Sequence, residues 1–165
     1  MKSTWLIAVL SLLVAGGGFA DDSAFDPQMF IVPKFVLILG SFKSFHEAHK
    51  QALAISQASK VPFSLRGMIF DKRRGLILPD NDEDEIYAGS YVHRRYNTAR
   101  LHAKETEYIS IERSDAYPTF APKLYIVVGG IYNDSKASRS AVDRFKPIVP
   151  DVYAKKTKIY MGCIH

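Results

Sequence analysis

Two histidines stand three residues apart in His46-Glu47-Ala48-His49, a spacing that sets both imidazoles along one side of a helix and could begin a metal site. No third ligand accompanies them, and the order differs from the HExxH pattern of zinc peptidases, so the pair reads as a solvated helix face. Asp80, Asp82 and Asp84 repeat the opening of a calcium loop. The sixth position of that loop is Glu85, where the turn needs glycine, and the twelfth is Tyr91 rather than Glu. A solvated acidic loop is the expectation, with weak calcium binding or docking to a basic partner as the alternatives. Cys163 and His165 alternate onto one side of a C-terminal strand, but chain ends position catalytic groups poorly. No G-x-S-x-G is present. An enzyme would need a pocket that gathers His93 or His102 with a carboxylate, and nothing in the spacing builds one. The chain is expected not to be an enzyme and to hold neither metal nor cofactor.

Other residues are better suited to contact than to chemistry. Tyr91, His93, Arg94, Arg95, Tyr96 and Arg100 mix aromatic and cationic groups, and Tyr and Arg are enriched among residues that dominate binding energy. Aromatic rings also stack on sugars, so the cluster suits a protein or a glycan. The plain alternative is a strand with solvated arginines and packed tyrosines. Lys155, Lys156 and Lys158 form a basic patch that reads as protection of an edge strand.

The elements that carry these residues belong to one domain. With 165 residues, 47% apolar and 24% charged, the composition is that of a folded chain rather than a disordered one. A single cysteine excludes an internal disulfide framework, so Cys163 is expected to be a packed thiol. Met1 to Ala20 has the layout of a secretory signal peptide: Lys2, an apolar run from Trp5 to Ala15, then Gly18 and Ala20 at the −3 and −1 places of a cleavage site. The run is too short to span a bilayer, which needs about 20 apolar residues. Cleavage would leave 21 basic against 17 acidic residues in an exported, periplasmic or secreted chain. No membrane span and no nucleic-acid partner are expected there.

Asp21 to Lys34 reads as a polar leader. Phe35 to Gly40 is a continuous apolar run ending in glycine, the pattern of a buried strand. Ser44 and Glu47 form a capping-box pattern that opens a helix to about Ser59, with Phe45, Ala48, Ala52 and Ile55 as its inner stripe and Leu53 beside them. The same arrangement returns further on. Leu124 to Gly129 is a second apolar run ending in glycine, and Asn133, Asp134 and Ser135 are possible caps of a second helix ending before Pro147. Gly40 with Gly129, Ala48 with Ala137, Lys50 with Arg139, Ala52 with Ala141 and Leu53 with Val142 all share an offset of 89. Val152 to Cys163 has strand character. Two strand–glycine–helix units imply a pseudo-symmetric α+β sandwich, an antiparallel sheet with two helices on one face.

The middle differs in texture. Leu65 to Asp71 and Gly75 to Leu78 read as strands around the basic turn Lys72-Arg73-Arg74. Tyr91 to Tyr96 and Glu107 to Arg113 alternate as further strands, with a helix near Thr98 to Lys104.

Leu37-Ile38-Leu39-Gly40-Ser41-Phe42, Tyr125-Ile126-Val127-Val128-Gly129-Gly130-Ile131 with Ala137 and Val142, and Pro150-Asp151-Val152-Tyr153 together resemble the SPOR (sporulation-related repeat) domain. The resemblance implies a βαββαβ sandwich of ferredoxin-like βαβ units over residues 35–165, and binding to peptidoglycan glycan strands stripped of stem peptides. Two departures stand out. A long β-rich insert over residues 66–122 parts the halves. The sheet face that in the family carries polar residues for sugar hydroxyls has Ile38, Tyr125 and Val127 at the matching positions, with only Ser41 and Tyr125 keeping polar character. Hydroxyls laid on an aliphatic face lose their partners at about 1–3 kcal/mol each. Such a face wants cover, from the insert or from a partner protein. The expected function is a non-enzymatic periplasmic binding protein of the cell envelope that contacts peptidoglycan or an envelope protein. The alternative is an immunity or inhibitor protein that neutralises a secreted toxin or a cell-wall enzyme.

Overall fold

The computed structural model describes residues 31–65, 67–77 and 108–160. The export signal, the acidic run Asp80 to Glu85, the cluster Tyr91, His93, Arg94, Arg95, Tyr96 and Arg100, the helix near Thr98 to Lys104, His102, Cys163 and His165 lie outside the described residues. The elements are β1 (Ile31–Phe42), α1 (Phe45–Ser59), β2 (Ile69–Asp71), β3 (Gly75–Ile77), β4 (Ser110–Arg113), a 3-10 turn (Ser114–Ala116), β5 (Tyr125–Tyr132), α2 (Ser135–Phe145) and β6 (Tyr153–Tyr160).

Four strands form one antiparallel sheet in the order β4-β5-β1-β6, and β2 with β3 forms a separate hairpin. β1 and β4 flank α1 in sequence yet lie apart in the sheet, with β5 between them. β5 and β6 flank α2, with β1 between them. The domain is therefore two interlocked split βαβ units. The class is α+β, with both helices on one face.

β1 starts at Ile31, earlier than the apolar run suggests, because β6 pairs with it from Ile31↔Tyr160 to Ile38↔Tyr153. Pro33 falls where β1 has a strand neighbour on one side only, since its pairing with β5 begins at Phe35↔Tyr132. The long insert is also narrower than residues 66–122. β4 lies within that span and is an integral strand of the sheet, and Phe63 bridges Ile109 just before it.

Leu37 and Leu39 of β1, Ile111 of β4 and Val127 of β5 pack against Ala48, Ala52 and Ile55 of α1 and against Ala141 and Phe145 of α2. The alanines let both helices lie close to the strands. The opposite face carries Val36, Ile38, Ile126, Val128 and Ile159, and it is covered as well, by Tyr117 with Ala116, Phe120 and Leu124. Val36 to Leu39 are consecutive and each is at most 3% exposed, a burial pattern that only a sheet covered on both sides gives.

The two halves repeat, but at an offset of 90. Leu37 and Val127 share the helix face, while Ile38 and Val128 share the other. Ser44 and Asp134 are the N-caps, and Ile55 and Phe145 are the buried residues of the last turns. Phe42 and Tyr132 end their strands. A Cβ added at Gly40 would lie 2.7 Å from the Phe42 ring, and one at Gly130 would lie 2.6 Å from the Tyr132 hydroxyl. The repeated unit is thus glycine, one residue, then an aromatic ring that folds back over the glycine. Matching identical residues aligned Gly40 with Gly129, one place off. Gly129 has another job: a Cβ there would meet Leu37 at 2.8 Å.

Candidate functional site

The expected glycan-facing residues do not share a face. Ile38 points to the covered side, 1% exposed. Tyr125 and Val127 point to the helix side and are buried there. Ser41 is exposed at the end of β1, opposite Ile126. Three of the four side chains are therefore spent on packing. Tyr125 acts as a pillar: the Phe45 and Phe70 rings meet it edge-on at 5.7 and 6.1 Å, and the Arg113 guanidinium lies over its ring at 5.1 Å.

The cover is residues 114–124, and its hold is largely polar. Ser114 N–H donates to the Leu124 carbonyl, and Leu124 N–H donates to Ser114 Oγ, closing the loop at its base. Asp115 accepts from the Lys123 N–H at 2.7 Å and from Arg113 Nε at 3.1 Å. The Lys123 N–H foremost, then the Arg113 guanidinium, holds the Asp115 carboxyl below its ordinary range against the opposing effect of partial burial. Tyr117 and Phe120 stack at 4.9 Å. Lys155 crosses from β6, donating to the Thr119 carbonyl at 2.7 Å with its ammonium 4.9 Å above the Phe120 ring. β6 is an edge strand, as expected, but Lys155 also serves as a clamp.

Beneath the cover sits a buried carboxylate. Glu112, 2% exposed, accepts from Ser110 Oγ at 2.6 Å and from the Tyr117 hydroxyl. A buried charge is tolerated only with such partners. Alternation along β4 puts Ser110 and Glu112 on the side opposite Ile109 and Ile111. The hydrogen bonds to Tyr117 and between the two residues let these polar groups face inward.

His46 is exposed and His49 half-buried. His49 stacks on Phe45 at 5.7 Å and meets Phe63 edge-on at 5.3 Å, so aromatic packing occupies it. Among the described residues no group of three or more His, Cys, Asp or Glu could hold a metal ion. No helix among them is long and apolar enough to cross a membrane.

The hairpin is the feature whose exposure the sequence did not reveal. Phe70 stacks on Phe45 at 4.3 Å with nearly parallel rings. Ile69 and Phe70 are nonetheless exposed, while Leu76 and Ile77 across from them are buried. Asp71 Oδ1 accepts from the N–H groups of Arg73 and Arg74, both at 2.7 Å, and Gly75 takes φ +84, which together make the turn. The apolar pattern predicts a strand from Leu65 to Asp71, whereas only Ile69–Asp71 pairs with β3.

No protein-family model, curated protein or solved structure matches this chain.

Proposed function

We propose that the protein is a non-enzymatic, exported binding protein of the bacterial cell envelope that acts by contact with another protein. A secreted toxin or a cell-wall enzyme is the kind of partner that fits. One observation carries this reading: both faces of the main sheet are covered within the chain, Tyr117 being 1% exposed over Ile38. A glycan strand therefore has no open polar sheet face to lie on. The partner contact is assigned to Tyr91, His93, Arg94, Arg95, Tyr96 and Arg100, which mix aromatic and cationic side chains.

Affinity purification from crosslinked envelope extracts tests it. A stoichiometric protein should co-purify, and Arg94→Glu with Arg95→Glu should release it. Recovery of no such partner would count against the reading. Peptidoglycan is the second reading, favoured by the β4-β5-β1-β6 strand order of two split βαβ units. It requires the cover to leave the sheet. Retention of the protein on purified sacculi at low salt would favour it over protein contact.

A further inference from the structure

We propose that the β2–β3 hairpin is a lipid-contact element that dips edge-on into the surface of an anionic bilayer. β2 is the outer strand: Ile69 is 49% and Phe70 41% exposed, against 2% for both Leu76 and Ile77 on β3. Successive residues of a strand point to opposite faces, so Ile69 turns to the side opposite the Phe70 ring. The Phe70 ring is braced on Phe45 of α1, so the edge is held ready rather than assembled on binding.

Charge selects the lipid. Lys72 and Arg73 are exposed in the turn that follows directly, and the Asp71 carboxylate between them and the apolar pair is engaged by the turn's own N–H groups. Exposed Lys43 and Lys50 outnumber Glu47 around the helix that backs the hairpin. Apolar side chains beside cations are what an anionic headgroup layer attracts and then buries, lying on the membrane without spanning it. This proposal does not depend on the Tyr91–Arg100 contact.

Flotation of the exported protein with vesicles tests the proposal. The probes are phosphatidylcholine alone and the same lipid with about one-third phosphatidylglycerol. Binding to the anionic vesicles should exceed binding to the neutral ones and fall with added salt. Lys72→Gln with Arg73→Gln should weaken it by about five-fold per charge. Ile69→Ser, which alters an exposed side chain outside the aromatic stack, should weaken it by about ten-fold. Failure to float with anionic vesicles at low salt would overturn the proposal, as would flotation that all three substitutions leave unchanged. Loss of a co-purifying protein in the hairpin variants, with flotation unaltered, would also overturn it and assign the edge to protein contact.

Discussion

The two βα halves of this domain share a frame and differ in how each helix is anchored. In the second half, Asp134 caps α2 through its side chain, accepting from Lys136 N–H at 2.9 Å and Ala137 N–H at 2.8 Å. In the first half Ser44 has the extended backbone of a cap but its side chain makes no capping hydrogen bond. The start of α1 is held instead by tertiary contacts, Phe45 against Phe70 and Tyr125 and His49 against Phe63. One helix start is thus specified locally and the other by the elements that return to it. The connections that leave the two helices differ as well. α2 passes directly to β6, whereas α1 leads into the excursion that carries the hairpin.

Substitutions at equivalent positions can break this comparison. The largest effects should come from the last turns: Phe145→Ala should cost about 3–5 kcal/mol and Ile55→Ala about 2–5 kcal/mol in denaturant-induced unfolding. Both fill the space under the helix face, so a loss at one site without the other would deny the equivalence. Next come the folded-back rings. Gly40→Ala and Gly130→Ala should each cost about 1–3 kcal/mol by pushing Phe42 or Tyr132 aside, and the change should be visible in the ring's NMR shifts. On the covered face, Tyr117→Phe removes one donor to Glu112 and should cost about 1–3 kcal/mol, read as earlier loss of amide protection in β4 than in α2. The smallest and most discriminating pair is at the caps. Asp134→Ala should lower stability by about 1 kcal/mol, and Ser44→Ala should change it by a few tenths at most. Equal losses at the two caps would remove the distinction.

Much of the frame is legible in the sequence because it is written in apolar runs and small residues. Phe35 to Gly40 and Leu124 to Gly129 mark the central strands, and Ala48, Ala52 and Ala141 mark close helix approach. The repeat's register is not legible from identities. Gly129 matches Gly40 by type, but the ring that folds back, the cap and the face all align Gly130 with Gly40. This one-residue slip is also why Ile38 and Val127 were expected on one face, because a slip of one reverses every side chain in a strand. The cover was illegible for a different reason. Residues 114–124 contain Pro118 and Pro122 and have neither helical nor strand period, and what buries Tyr117 is a sheet face distant in sequence. Likewise Ser44 and Glu47 have the types of a capping box, but Phe45 is placed by its aromatic neighbours and no side-chain cap forms.

The central claim is that the chain closes the second face of its own sheet. Methyl-to-aromatic NOE spectroscopy on the isotopically labelled protein tests it most directly. The account predicts cross-peaks from the Tyr117 ring to methyl groups of the Val36, Ile38, Ile126, Val128 and Ile159 cluster, with slow amide exchange in β1. A Tyr117 ring with solvent-like shifts and no cross-peak to that cluster would contradict it, and would leave this face of the sheet open.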